Sequence, residues 1–304
     1  MQKHEQSYST GVLFVLLATL GWSLSGIFVR LMPGLDGWQI NCWRGYWTGV
    51  TLLIYLFLIY GRDAYRKFRE IPKFALFSSA LFFSVGSTLY VSSLTLVSTA
   101  TVSVIGATSP LFVGLLGPWI TGEKAGVESW FAALMALLGV IVIAGDGFEQ
   151  GKLWGLLMCL GVPMLFAGQT LALRKYRDFD MVPAICFGGF LTFLLAGLFG
   201  FSTGRAAGGF DVGVREILLL AAMSVLQLAI PLILYIRGAV SVPGVTLALI
   251  AMLDAVINPF WPWVFVGEMP NRADFIGGGI IIGAVLISIF GRQVSLARLR
   301  AQAG

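Results

Sequence analysis

The chain has 304 residues, of which 58% are hydrophobic and 12% are charged, and its net charge is +5. An average soluble domain carries about 25% charged residues, so this composition excludes an ordinary water-soluble domain. The positive charge does not indicate nucleic-acid binding, because the basic residues fall in short segments between apolar runs, where they mark the cytoplasmic side of a membrane protein.

Long apolar runs recur along the whole chain. Residues 74–121 contain no Lys, Arg, Asp, Glu or His, and because one helical span takes about 20 apolar residues, this run predicts two spans joined by a tight turn near Val97 to Thr99. The run 11–29 is longer than a signal-peptide core and no small-residue cleavage site follows it. The sequence predicts an all-α integral membrane protein with ten transmembrane helices, at 10–31, 38–60, 74–95, 99–121, 128–145, 153–173, 182–202, 214–236, 243–266 and 273–291.

The placement of basic residues predicts the orientation. With a cytoplasmic N-terminus, 14 of the 20 Lys and Arg residues fall in inner segments and four in outer loops. Cytoplasmic loops carry the excess of basic residues. We therefore expect a multi-pass protein of the bacterial inner (plasma) membrane with both termini in the cytoplasm.

The two halves of the chain match weakly at an offset of about 145 residues. Gly122-Glu123 corresponds to Gly267-Glu268, and an offset of 144 pairs Trp22 with Phe166 and Arg30 with Arg174. These matches predict two five-span repeats, residues 1–145 and 146–304. Because five is odd, the second repeat enters the membrane inverted, an arrangement common in secondary transporters. A duplicated bundle without a transport role remains an alternative.

Several short motifs add to this pattern. They are Trp22-Ser23, Trp43-Arg44-Gly45, Ser109-Pro110, the two Gly-Glu pairs and the run Ile276-Gly277-Gly278-Gly279. With these motifs the whole chain resembles the drug/metabolite transporter superfamily, in its EamA-like branch of ten-span permeases. The resemblance implies two EamA repeats, a central cavity lined by spans 1–4 and 6–9, and movement of small organic solutes, often amino acids. One departure is Asp254-Ala255, which stands where the first repeat has Ser109-Pro110.

Polar residues inside the spans lie on single helix faces. In the second span Asn41, Arg44, Thr48 and Thr51 share one face, and without water such side chains must face the bundle interior or a wet cavity. Packing between helices is the alternative for any single Ser or Thr. The predicted substrate-binding residues are Arg44, Asp254, Trp22, Trp43, Trp47, Tyr90, Gln169, Gln227, Asn258 and Trp261.

The two charges within these spans carry the sharpest hypothesis. Asp254 lies near the bilayer centre, where an ionised, unpaired carboxylate costs at least about 2.5–3.5 kcal/mol, so it must be protonated, paired or wet. Arg44 lies roughly 9 Å below the outer surface. We expect Arg44 to hold a substrate carboxylate, and Asp254 to hold an ammonium group or cycle a coupling proton. A structural Arg44–Asp254 pair, or Arg44 reaching the headgroups, remains open.

The aromatic candidates have two interpretations. Trp22, Trp43, Trp47, Tyr90 and Trp261 would together line a site for an aromatic side chain or a quaternary ammonium group. Tryptophan also collects at membrane interfaces for ordinary reasons. Both interpretations stay open.

Prolines and glycines point to moving parts and contacts. Pro110, Pro163, Pro231 and Pro259 are the predicted kink and gating positions, since each removes a helical hydrogen bond. Gly279 and Gly283 form a small-residue pair, for which we expect an intrachain contact, with a homodimer as the alternative. The glutamates of the two Gly-Glu pairs are predicted to anchor turns and to accept hydrogen bonds from the following helix.

No enzyme site is indicated. The three cysteines, Cys42, Cys159 and Cys186, show no metal-ligand spacing, and the sole histidine is His4. No phosphate-binding GxxxxGK[ST] loop is present, so we expect neither cofactor nor metal. The predicted function is secondary active transport of a small polar or zwitterionic metabolite, with the lipid bilayer and that molecule as partners. Efflux of lipophilic or quaternary ammonium cations is the alternative, and a membrane-embedded enzyme fits the sequence less well.

Overall fold

The structure is a computed structural model that describes most of the chain. The described residues are 7–32, 34–94, 105–106, 108–123, 126–144, 153–203, 208–258, 261, 264–265, 272, 275–284 and 286–287. The helices are Tyr8–Trp22 (α1), Ser25–Arg30 (α2), Gly37–Tyr60 (α3), Ala64–Glu70 (α4), Lys73–Leu94 (α5), Ser109–Ile120 (α6), Val127–Ala144 (α7), Leu153–Lys175 (α8), Val182–Phe199 (α9), Val214–Met223 (α10), Ile230–Gly238 (α11), Gly244–Ala251 (α12), Asp254–Ile257 (α13) and Phe275–Ala284 (α14).

Within the described residues, six helices are long and apolar enough to cross a membrane, and three shorter apolar helices accompany them. The six coincide with predicted spans 1, 2, 3, 6, 7 and 8. This confirms the all-helical, multi-pass membrane architecture. The count of ten is not confirmed, because parts of predicted spans 4, 9 and 10, including the turn expected at 97–99, lie outside the described residues.

Local sequence explains the boundaries of α3, the helix that carries Arg44. Asp36 is its N-cap and accepts hydrogen bonds from the backbone of Trp38 and Gln39, while the Gln39 side chain accepts one from the Asp36 amide. This reciprocal pair is a capping box. The helix ends at Gly61, whose φ of +55° favours glycine. Arg44 therefore sits two turns inside a rigid helix.

Glycines bring the backbones of α3 and α9 into close contact. A methyl group at Gly45 would lie 2.8 Å from the Gly189 carbonyl oxygen, and one at Gly189 would lie 2.8 Å from the Gly49 amide. In lipid, such close backbone approach is a main source of helix association. Around this pair, α5 packs on α8 and α9, α1 packs on α11 and α12, and α6 packs on α8 and α12.

The small residues of α14 do not act as expected. A methyl group at Gly139 of α7 would lie 2.7 Å from the Gly277 carbonyl oxygen and 2.8 Å from Ile281. At Gly279 and Gly283 it would meet no described atom within 4 Å. The intrachain contact of α14 is thus made through Gly277, because Gly279 and Gly283 face the other way.

Two predicted continuous spans are interrupted near mid-depth. The first span breaks at Ser23 and Leu24, between α1 and α2, and the ninth breaks at Met252 and Leu253, between α12 and α13. The eighth span is continuous but contains a π-helical segment, Ser224–Ala229, between α10 and α11. Irregular backbone inside a membrane is tolerated where it is buried in protein or lines a cavity, and π segments often mark functional sites.

Candidate functional site

A central cavity of about 250 Å³ lies inside the bundle. Its walls come from α1, α3, α5, α6, α8, the π segment, α11 and α12 through α13. The cavity is much larger than one water needs and lies near the lower end of small-molecule sites. The structure brings seven of the predicted residues to its wall: Trp22, Arg44, Tyr90, Pro163, Gln169, Gln227 and Asp254.

Arg44 is a buried cation held only by neutral groups. Its side chain is 2% exposed, and Nη2 donates to Asn41 Oδ1 at 3.3 Å and to Ser87 Oγ. Among the described residues Nε and Nη1 have no protein acceptor, and no carboxylate pairs with the guanidinium. Because the side chain is buried in the bundle, it does not reach the headgroups. A buried cation without an anion is costly unless something else neutralises it.

Asp254 is the opposite charge on the same cavity wall. Its Oδ1 atom is buried and has no hydrogen-bond partner among the described residues. No ion pair joins it to Arg44, so the structural pair considered above is absent in this conformation. Tyr90 lines the same cavity. The cavity wall therefore carries a buried guanidinium and a buried carboxyl group that do not pair with each other.

Other polar atoms at the cavity also lack protein partners. Gln169 donates to Ser79 Oγ at 2.8 Å and Gln227 donates to the Trp22 carbonyl at 3.4 Å, each through Nε2. The Oε1 atoms of both glutamines and the Oγ atom of Ser109 are buried without a partner among the described residues. Buried polar atoms are rarely left unpaired in protein. Their convergence on one cavity indicates a place for water or a polar ligand.

One part of the wall is aromatic. The Trp22 ring contacts Tyr235 at 5.0 Å between centroids and Phe166 at 6.2 Å, and Phe166 lies 5.9 Å from Tyr235. The Tyr235 hydroxyl is hydrogen-bonded to Thr170 at 2.8 Å. This hydrogen bond holds the ring in place, so the three rings form a preformed surface. Such a surface can stack on a flat ligand or face a cation.

Two predicted tryptophans of α3 lie away from the cavity. Trp43 donates from Nε1 to the Phe210 carbonyl at 3.3 Å, and its ring lies 6.2 Å from Phe193. Trp47 packs against Tyr46 at 5.2 Å between centroids. Neither is part of the cavity wall. The aromatic lining expected from α3 is thus absent from this cavity wall. Trp43 leaves the helix about 100° away from Arg44, and Trp47 packs against Tyr46.

Asn258 and Trp261 also contact other groups. A methyl group at Gly26 would lie 2.7 Å from Asn258 Oδ1, so Asn258 packs on α2. Trp261 donates from Nε1 to Ser23 Oγ at 2.7 Å. Both residues tie the segment after Asp254 to the interrupted first span, and neither is part of the cavity wall.

The four predicted kink prolines occupy different settings. Pro163 lies inside α8 and at the cavity wall, whereas Pro110 begins α6 and Pro231 begins α11. Pro231 has no N–H to donate to the Gln227 carbonyl, which accounts for the π segment that ends just before it. Pro259 lies outside the described residues.

The cavity wall is built from corresponding positions of the two halves. Tyr90 and Tyr235 both line it and are 145 residues apart, as are Ser109 and Asp254. Trp22 and Phe166, which are 144 apart, touch each other. The same relation holds for Phe82 with Gln227, Phe83 with Leu228, Ser87 with Leu232 and Gly106 with Ala251.

Sequence reasoning left several wall residues out of the predicted site. Ser109, Phe166 and Tyr235 had a signal, since each occupies a motif or stripe position or matches a predicted residue in the other half. Ser87 and Phe82 had no comparable signal, because a serine or phenylalanine within an apolar span is ordinary. Only the rotation of α5 against α3 shows that Ser87 holds Arg44.

A family comparison adds to the geometry of the cavity. The model of the EamA-like transporter family matches the chain twice, at residues 9–145 and 153–290. The chain belongs to the EamA-like transporter family. The resemblance seen in the short motifs is therefore confirmed across nearly the whole chain.

Individual relatives are more distant. An uncharacterized transporter, YdfC, from Bacillus subtilis (strain 168) is 25% identical over 196 residues, and the match covers 62% of each chain. S-adenosylmethionine uptake transporters from Rickettsia felis and Rickettsia bellii are each 21% identical and match 96% of this chain and 97% and 98% of their own. A solved structure, described as a crystal structure of a protein, superimposes with a TM-score of 0.79 at 19% identity, covering 95% of this chain and 99% of that one.

These matches define what this EamA-like protein is at a coarse level. It is a multi-pass membrane protein of a transporter family, and transporter names are carried by the curated relatives described here. The solved structure, at 19% identity, shows a shared fold alone.

Proposed function

We propose that this EamA-like protein is a secondary transporter that moves a small zwitterionic metabolite, such as an amino acid or a related compound, by alternating access. The observation that carries the proposal is the pair of opposite charges at one cavity, Arg44 and Asp254, which do not pair with each other. A carboxylate at Arg44 and an ammonium group at Asp254 would neutralise both. The unpartnered oxygens of Ser109, Gln169 and Gln227 supply further polar contacts.

The repeat relation of the wall supports alternating access. If equivalent positions of two inverted halves surround one site, exchanging the conformations of the halves moves the opening from one side to the other. The pairings of α5 with α8 and of α1 with α11 fit this scheme, since each joins the third span of one half to the first span of the other. On these grounds we also propose that the chain consists of two inverted five-span repeats. Both termini then lie on the cytoplasmic side of a bacterial inner membrane.

Transport of a lipophilic or quaternary ammonium cation is the second candidate. The cluster of Trp22, Phe166 and Tyr235 on the same cavity wall as Asp254 favours it, because cations bind aromatic faces. Such a ligand would not need Arg44. The dependence of binding on Arg44 therefore separates the two candidates.

S-adenosylmethionine has the chemical features of both candidate substrate classes. The Rickettsia relatives are named as uptake transporters for it, and it combines an amino-acid zwitterion with a sulfonium cation. The chemistry of both ends would fit the charges at the cavity. At 21% identity the relatives' substrate does not decide the substrate of this chain, so binding measurements must choose between the two candidates.

The first experiment is a thermal-shift screen of the purified protein with amino acids, betaines, S-adenosylmethionine and organic cations. We expect zwitterions to raise the unfolding temperature, because a ligand that binds only the folded state stabilises it. Arg44→Gln should remove the shift given by zwitterions and keep any shift given by simple cations. Asp254→Asn should weaken both.

Two matched variants control for loss of charge alone. Arg237→Gln removes an exposed cation that bonds to the Tyr55 hydroxyl at 2.6 Å and is not part of the cavity wall. Asp36→Asn keeps a good helix cap. Both should retain the ligand shift. A zwitterion shift that survives Arg44→Gln and Asp254→Asn would reject this site.

A further inference from the structure

A second cavity lies directly beyond the central one. It has a volume of about 630 Å³ and is lined by charged groups, including Glu123, Arg174 and Arg177. Three helices, α6, α8 and α12, line both cavities. On them the central cavity is lined by Ser109, Leu173 and Ala248, and the second cavity by Val113, Arg174 and Thr246, respectively. The linings are four residues apart on α6, two on α12 and one on α8. They are thus stacked along one path toward the end of the bundle that carries Arg174, Lys175, Arg177 and Arg237, here termed the basic end.

An apolar plug, formed by Val113, Leu171 and Gly244, lies at this level. Val113 and Leu171 are each 1% exposed. A methyl group at Gly244 would lie 2.9 Å from Val113 Cγ1 and 3.7 Å from Leu171 Cδ2. The plug is therefore tightly packed, and glycine at position 244 permits that packing.

An ion pair, here termed the latch, joins the helix ends around the plug. The Arg174 guanidinium pairs with the Glu123 carboxylate, and Nη1 donates to the carbonyls of Ala239 at 2.6 Å and Val240 at 3.1 Å. Glu123 Oε2 accepts the backbone N–H of Gly244 at 3.2 Å. The latch thus links the C-terminal ends of α6, α8 and α11 to the start of α12.

This network places each charge where helix ends favour it. Arg174 lies in the last turn of α8 and meets free carbonyls that follow α11, and Glu123 meets the free amide at the start of α12. Arg174 is 5% exposed and Glu123 is 30% exposed on the side of the second cavity. The two charges therefore satisfy each other and three backbone groups only while the four helix ends stay together.

From this geometry we infer that the plug and the latch form the gate of the transport path at the basic end, and that the second cavity is the vestibule beyond it. Opening requires the latch to break and the four helix ends to separate. The two cavities then become one continuous path. The inference rests on the proposed transport function but needs no particular substrate.

Thiol accessibility tests the gate without substrate. Ser109→Cys places a thiol in the central cavity, and a membrane-impermeant maleimide is added to vesicles that expose the basic end, identified by labelling of Arg177→Cys. The parent, whose three native cysteines are free and buried, is the blank. We expect slow labelling of Ser109→Cys with the latch intact and about tenfold faster labelling with Arg174→Gln, the change that about 1.4 kcal/mol of lost closed-state stabilisation produces.

Two further variants make the result decisive. Glu123→Gln keeps an acceptor for the Gly244 amide but loses the ion pair with Arg174. The labelling rate of Ser109→Cys in this variant should lie between the rate with the intact latch and the rate with Arg174→Gln. Gly244→Ala wedges the plug without changing charge and should also speed labelling. Arg237→Gln, at the same end but bonded to Tyr55, should leave the rate unchanged. Equal rates in folded protein with and without the latch, or acceleration by Arg237→Gln, would overturn the gate, whereas a failed ligand screen alone would not.

Discussion

At the scale of single residues, the hydrogen-bond and ion-pair partners of a buried charge indicate its role. Arg44 and Arg174 are both buried cations at helix positions. Arg174 meets a carboxylate and two carbonyls, while in the described part of the chain Arg44 meets only an amide and a hydroxyl. A charge with protein partners serves structure, and a charge without an anion is left to a ligand or water. The sequence shows both as arginines and cannot tell these roles apart.

Tyr90 and Tyr235 give a matched pair of variants, since they occupy corresponding positions of the two halves. Tyr235→Phe removes the hydrogen bond to Thr170 and should lower the free energy of unfolding by about 1 kcal/mol. Tyr90→Phe removes a hydroxyl from a residue of the cavity wall and should mainly weaken ligand binding. Chemical denaturation and ligand titration of both variants measure the two effects. The reverse assignment of the effects would contradict the site geometry.

At the scale of elements, close packing and irregular backbone divide the helices into two groups. The glycine contact joins α3 and α9 rigidly, whereas the interruptions at Ser23 and Met252 and the π segment at Gln227 fall in the helices around the cavity. Packed pairs resist deformation. Motion is therefore expected where the backbone is already irregular.

The glycine contact can be tested by adding one methyl group. Gly189→Ala places that group 2.8 Å from the Gly49 amide, and neither backbone can move aside easily, so we expect a loss of about 1–3 kcal/mol of stability. Gly279→Ala is the control, because no described atom lies within 4 Å of the added group. Unfolding temperatures of the two variants in the same detergent compare them. Equal temperatures would show that α3 and α9 tolerate separation.

At the scale of the whole molecule, two corresponding positions differ in a way that bears on coupling. Ser109 and Asp254 are 145 residues apart and occupy corresponding positions of the two halves. The second half thus contributes a carboxyl group to the cavity wall where the first half contributes a hydroxyl. Only the acid can exchange a proton. The coupling-proton role remains a prediction for Asp254.

Reconstituted vesicles test that role. If Asp254 carries the coupling proton, Asp254→Asn should abolish transport driven by a proton gradient and keep substrate exchange, because exchange returns the carrier loaded and needs no proton step. Asp36→Asn, outside the cavity, should keep both activities. Gradient-driven uptake that is unchanged in Asp254→Asn would assign coupling elsewhere.

Hydropathy and charge placement were sufficient to predict the membrane fold, and the short motifs carried the family resemblance. Charges inside apolar spans singled out Arg44 and Asp254, which the structure places at one cavity wall. These signals are readable because the cost of a charge in lipid acts on each residue by itself. The offset of 145 also lies in the one-dimensional pattern, although only the structure shows that paired positions line one cavity.

Tertiary structure alone decided which neighbours of those charges share the cavity. Trp43 comes immediately before Arg44 in a helix that turns about 100° per residue, and it faces Phe193 rather than the cavity. Ser87 reaches Arg44 from a different helix, and Glu123 accepts from the start of α12 rather than from the helix that follows it in the chain. The rotation and packing of the helices set these contacts. They join residues far apart in sequence, and a local sequence pattern does not show which helix faces meet.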